Sequence, residues 1–224
     1  AGAESMIATN FLGTVNLINA VSSFKYNFFI TTGSFLEYGF KDHPIAESEV
    51  CSPGEIYGVT KLAGTLFGVA QAHSENKPIV TFRLFTPYGP HNDPARLTHK
   101  IIACALSGKD IELTHPTVSR DFIYIEDVIE LFLEAAINAS KNAGHIFNVG
   151  SGVRTTIGEV VAYVIRVTGS KSKSKWGAFR SVSYDSDSWQ ADMTKTFSHF
   201  SWRPKYTINS GLDETIRHIR EQGE

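Results

Sequence analysis

The stretch NFFITTGS, Asn27 to Ser34, runs from apolar, aromatic and β-branched residues into a polar turn at Gly33. That pattern reads as a buried strand ending in a turn. Downstream, Ser52 and Pro53 suit a helix cap and first-turn proline, which predicts a helix from about Gly54 to Ala72. A second strand is expected over PIVTFRL, Pro78 to Leu84. Strand, loop, helix and strand make a βαβ unit, so the fold class is α/β with a parallel sheet. Open sheets of this kind bind ligands beyond the carboxyl ends of their strands, which is where Ser34 falls. A Thr-Gly-Ser cluster taken alone is also ordinary turn chemistry.

The predicted helix carries YGVTK, with Tyr57 and Lys61 four residues apart on one face. As a surface contact this pair is worth only about 0.2–0.5 kcal/mol. Bringing a tyrosine from a pKa of about 10 to near 7 requires roughly 4 kcal/mol, at about 1.4 kcal/mol per unit. Only a site walled off from water, with a second cation close by, supplies that much.

Further strings occur in a fixed order: NFLGTVNLINA (Asn10 to Ala20), FITTGSFLEYG (ending at Gly39), YGVTK, RLFTPYGP (Arg83 to Pro90), RDFIYIEDV (Arg120 to Val128), FNVGSG (Phe147 to Gly152) and SWQADMTK (Ser188 to Lys195). Together they resemble the extended short-chain dehydrogenase/reductase superfamily, in its nucleotide-sugar epimerase/dehydratase branch. The resemblance implies a Rossmann-type doubly wound parallel sheet with a smaller α/β substrate domain. Residues 1–90 would form the carboxy-terminal part of the dinucleotide-binding domain. Residues 91–224 would be mainly substrate domain, with 120–150 crossing back. It also implies NAD as cofactor, with NADP the alternative, and a nucleotide-diphosphate sugar as substrate.

By the same resemblance, Tyr57 exchanges a proton with a sugar hydroxyl, Lys61 lowers the tyrosine pKa and holds the nicotinamide ribose, and Ser34 orients the reacting group. Asn10, Thr32 and Phe85 match positions lining the cofactor. From the residues alone, Asn10 is a mid-helix polar residue facing solvent and Phe85 a core aromatic. Thr86, Arg120 and Arg180 match substrate positions, Arg120 gripping the diphosphate with bidentate donors. Taken alone, RDF reads as an edge-of-strand ion pair between Arg120 and Asp121. Asp127 reads as a cap for the helix VIELFLEAAI.

Three departures matter. The strand, glycine-rich turn and helix that hold the pyrophosphate in such proteins do not precede Ala1, and the sequence opens instead on a helical stretch, Glu4 to Val21. GSGVRT at Gly150 to Thr155 mimics that turn but lacks its third glycine. Thr86 stands where 4-epimerases often carry asparagine. Phe35 and Leu36 stand where sugar 4,6-dehydratases carry an acidic pair, Glu37 being displaced by one position. Epimerisation at carbon 4, or reduction of a 4-keto sugar by the same residues, therefore fits better than dehydration. A catalytically silent protein that only binds a ligand or partner is the other reading.

With 224 residues, 42% of them hydrophobic and 20% charged, the chain suffices for a sizeable core. A net charge of −2 gives no nucleic-acid footprint. No run reaches bilayer length and no signal pattern opens the chain, so a cytoplasmic protein off the membrane is expected. Cys51 and Cys104 read as reduced thiols, and the eight histidines lack zinc-type spacing. Helices 4–21 and 54–72 have broad apolar surfaces, as at Phe11, Val15, Leu17, Ile18, Val59, Leu62, Leu66 and Val69, much of which is core by periodicity. The resemblance adds a homodimer through the same pair.

Overall fold

The computed structural model describes residues 2–179 and 189–222. The chain opens with one continuous helical rod, α1 (Ala3–Met6), a π-helical segment (Ile7–Leu12) and α2 (Gly13–Val21). It then follows β1 (Phe29–Ser34), α3 (Ile56–Ser74), β2 (Ile79–Leu84), β3 (Thr86–Tyr88), α4 (Leu97–Ser107), β4 (Ile111–Glu112), β5 (Ser119–Tyr124) and α5 (Ile125–Ile137). The remainder is β6 (Ile146–Val149), β7 (Arg154–Thr156), α6 (Ile157–Thr168), β8 (Ser174–Lys175), α7 (Thr194–His199) and α8 (Ile208–Gln222).

The site depends on a parallel sheet of order β1-β2-β6, in which Gly33 pairs with Arg83 and Ser34 with Leu84. Its central strand β2 is buried from Ile79 to Arg83, and so on both faces, as expected where helices cover both sides. Val80, Phe82, Phe147, Val149, Leu131 and Phe200 fill one core around it. A second core joins α4, α6 and α8 to a mixed sheet of order β3-β5-β7, through Ile101, Phe122, Val160, Val164, Leu212 and Ile219. β4 and β8 make a small parallel pair beside it.

Two expected caps move. α3 starts at Ile56 with Glu55 as its N-cap, not at Ser52-Pro53. Ser52 is pinned elsewhere: its N–H donates to the Tyr38 carbonyl at 3.1 Å. Gly39, at φ +71°, lies so close that a Cβ would come within 1.9 Å of the Ser52 oxygen. Asp127 does not cap α5, whose N-cap is Tyr124. It is buried in the first turn and accepts the amides of Lys205 at 2.8 Å and Tyr206 at 3.1 Å, tying the approach to α8 down.

Asp121 is fully buried, not an edge charge, and accepts from Ser151 N and Oγ at 2.7 Å each and from Gly152 N and Ala191 N at 3.0 Å each. The GSG turn thus gives its amides to Asp121, which is why it resembles a phosphate loop without acting as one. Burial outweighs these donors and pushes the Asp121 carboxyl up to about 6. The unfolded value is about 3.9. Between the two, the folded state holds a proton the unfolded state has released, so this contribution is present at low pH and lost as pH rises through about 6. The stability of wild type relative to Asp121→Asn should fall by up to about 3 kcal/mol between pH 4 and 7 in urea melts.

Candidate active site

β1 ends at Ser34, whose backbone is extended at φ −146° and ψ 146° before a short 3-10 turn, Phe35–Glu37. The Ser34 oxygen accepts the Leu36 amide at 3.2 Å, which occupies a lone pair and leaves the hydroxyl proton to point outward. The Tyr57 phenol, at the start of α3, lies close enough for the Ser34 hydroxyl to work on it, pulling its pKa down against the effect of burial. One turn on, Lys61 sends its Nζ to the Thr32 carbonyl at 2.6 Å and stands 5.9 Å from the centre of the Tyr57 ring. Strand end and helix face therefore gather Thr32, Ser34, Tyr57 and Lys61 at the carboxyl edge of the sheet.

Burial is the first influence on both ionisable groups. It raises the Tyr57 phenol, with the Glu37 and Glu55 charges adding and with Arg96 and the Ser34 hydroxyl opposing. It lowers Lys61, against the Glu37 charge. The chain by itself thus keeps the phenol protonated, the Arg96 charge opposing burial without overcoming it.

Asn10 does not face solvent. It lies in the π-helical segment and donates Nδ2 to Thr60 Oγ1 at 3.0 Å, and Thr60 in turn donates to the Tyr57 carbonyl at 2.9 Å. Inserting a π turn re-aims side chains within a helix and is frequent at functional sites. Phe85 is buried and stacked on Phe35, with ring centres 5.6 Å apart. Thr86, next along the chain, has a buried hydroxyl without a hydrogen-bond partner among the described residues. A buried hydroxyl left unmatched is costly, and a bound polar group would satisfy it. Arg120, half-buried on β5 opposite Thr155, donates Nη1 to the Ser119 carbonyl at 3.0 Å. Arg180 lies outside the described residues.

Two residues went unread as site groups. Arg83 bonds through Nε to Glu37 Oε2 at 2.7 Å and stacks on the Tyr38 ring, 4.4 Å from its centre. Glu37 is fully buried, so it is not a displaced solvent-side acid. Its one sequence signal is Ser34-Phe-Leu-Glu37, the S-x-x-E spacing of a capping box, which the structure forms.

The parallel sheet with Ser, Tyr and Lys at its carboxyl edge defines a Rossmann-type protein of the extended short-chain dehydrogenase/reductase kind. A profile of the NAD dependent epimerase/dehydratase family matches residues 1–150, and the chain belongs to that family. It is 28% identical over 220 residues to an uncharacterized UDP-glucose epimerase, YtcB, of Bacillus subtilis, covering 97% of this chain and 69% of that one. It is 27% identical over 219 residues to a UDP-glucuronate 4-epimerase of Thermodesulfobacterium geofontis, covering 96% and 66%. Among solved structures it superposes on the UDP-glucuronic acid 4-epimerase of Bacillus cereus, in complex with UDP-glucuronic acid and NAD. The TM-score there is 0.88 at 27% identity, over 95% of this chain and 68% of that one. The chain thus spans about two thirds of the length of these relatives.

Proposed function

We propose that the chain carries the catalytic and sugar-binding part of an NAD-dependent nucleotide-sugar 4-epimerase. The observation that carries this reading is the convergence of Ser34, Tyr57 and Lys61 at the strand end, with Lys61 anchored on the Thr32 carbonyl. An ammonium has three donors, so that anchor leaves two for ribose hydroxyls, which fits a dinucleotide held by Lys61 beside Asn10 and Thr32. When bound, NAD supplies hydride acceptance and return at the sugar carbon. Tyr57 Oη holds and moves the proton of the sugar hydroxyl, Ser34 Oγ orients that hydroxyl, and Lys61 stabilises the phenolate once burial is offset. Thr86 and Arg120 take the sugar and diphosphate. Dehydration is disfavoured because Phe35 and Leu36 occupy the turn and Glu37 is engaged with Arg83.

The sheet order leaves β1 as an edge strand. We place a pyrophosphate-binding strand, parallel to β1, on that edge, with the β3-β5-β7 sheet and its helices on the substrate side. Among the described residues no helix is long and apolar enough to cross a membrane. Cys51 and Cys104 are free thiols, in keeping with a cytoplasmic enzyme.

Substrate binding tests the reading. Titration of UDP-glucose and UDP-glucuronate into the chain should give saturable binding. Arg120→Ala should weaken it by about tenfold or more, since hydrogen bonds to charged groups are worth about 1.5–3 kcal/mol. A wild-type chain that binds neither sugar nucleotide would overturn the proposal.

A homodimer through the first helical rod and α3 completes the proposal. Ile7, Leu12 and Leu17 on one and Val59 and Leu66 on the other are exposed apolar side chains on two packed helices, which supports a partner there. Leu17→Glu combined with Leu66→Glu should convert dimer to monomer in sedimentation velocity without lowering the melting temperature of the fold.

A further inference from the structure

Glu37 is engaged at every point by an element of the site. Its Oε1 accepts the Ser34 amide at 2.8 Å and the Thr65 hydroxyl at 3.0 Å, and its Oε2 accepts Arg83 Nε at 2.7 Å. Ser34 ends β1, Thr65 lies on α3 one turn beyond Lys61, and Arg83 lies on β2 two residues before Phe85. Gly33 leaves the room this needs: a Cβ there would sit 2.5 Å from Glu37 Oε1. One carboxylate thus ties together the strand end that carries the serine, the helix that carries the tyrosine and lysine, and the neighbouring strand.

A buried ion pair is a poor device for stability alone, because apolar residues of similar volume often do as well or better. Its directional bonds do what apolar packing cannot, which is to fix angles. The same capping box presents the Leu36 amide to the Ser34 oxygen and so aims the serine proton away from the turn. We propose that Glu37 is a positioning residue, holding the Ser34 turn against α3 so that the serine hydroxyl and the Tyr57 phenol keep a single mutual geometry. The inference rests on the catalytic reading of Ser34 and Tyr57 and extends it to a residue that touches no substrate.

The test reads the Ser34 to Tyr57 contact directly, at neutral pH and without an activity assay. Protein labelled with 13C at the tyrosine ζ carbons is examined by NMR, the Tyr57 resonance being assigned by its absence in Tyr57→Phe. Ser34→Ala should displace that resonance in the otherwise wild-type chain. In the Glu37→Gln background the same replacement should leave it in place. Where Glu37→Gln fails to fold because Arg83 is left unpaired, Thr65→Val removes a single bond to the carboxylate, and should cut the displacement at least twofold. An equal displacement in all backgrounds, with only a lower melting temperature, would show that Glu37 is structural and overturn the proposal. In epimerase assays Glu37→Gln should lower kcat about tenfold to a hundredfold, the scale of a small misplacement, with KM within about twofold. Inactive wild-type protein whose NMR coupling persists would sink the catalytic reading and leave the positioning role standing.

Discussion

Tyr57→Phe should lower epimerase turnover by about 10²- to 10⁴-fold while UDP-sugar affinity stays within about twofold. That is the range a positioned general acid or base contributes. The phenylalanine keeps the ring that packs at the start of α3 and removes only the oxygen that exchanges the proton. Loss confined to kcat identifies an interaction made in the transition state, whereas a rise in KM alone would mean Tyr57 merely binds sugar. The resting state sharpens the expectation. Burial, joined by the Glu37 and Glu55 charges, holds the phenol protonated in the chain as it stands, and the Lys61 ammonium is engaged with the Thr32 carbonyl. An oxidised nicotinamide bound beside Lys61 would supply the positive charge that favours the phenolate, and Lys61 and Thr32 are the residues that would hold its ribose.

Arg83→Met should give the largest loss of stability, about 3–5 kcal/mol, because it strands the Glu37 carboxylate in a fully buried position. For a chain of this length each kcal/mol moves the melting temperature by about 2–4 °C, so a drop on the order of 10 °C is expected by calorimetry. Arg83 also stacks on Tyr38, whose hydroxyl donates to Asn148 Oδ1 at 2.7 Å, so the disturbance should reach β6. Combining Arg83→Met with Glu37→Gln should restore much of the loss, since neither buried charge then remains. Additive losses would show that the two residues act independently.

Much of this was legible in the residues. The apolar run before Gly33 and the run PIVTFRL became β1 and β2 within two residues of their expected bounds, because a buried parallel strand has little besides side-chain type to specify it. The four-residue spacing of Tyr57 and Lys61 placed both on one helix face. What escaped was decided at a distance. The π turn at Ile7–Leu12 has no propensity signature, and its Asn10 acquires meaning only from Thr60, fifty residues away. Ser52 and Pro53 have the chemistry of a helix start, but the close approach of Gly39 holds them as loop. Asp121 read as an edge-of-strand ion pair and Asp127 as a helix cap because an acidic residue in sequence carries no sign of the amides that will surround it. Glu37 was weighed only as a displaced acid, since Arg83 and Thr65 lie 46 and 28 residues further on.

The central claim is that one sugar carbon loses and regains the same hydride on this chain, with Tyr57 handling the proton. The most direct measurement supplies the protein and NAD with UDP-glucose and UDP-glucuronate deuterated at carbon 4, and follows products by NMR and mass spectrometry. The account predicts a 4-epimer that retains the deuterium at carbon 4, formed by wild type and not by Tyr57→Phe. Deuterium lost to solvent, or sugar nucleotide and NAD both bound with no epimer formed, would contradict it.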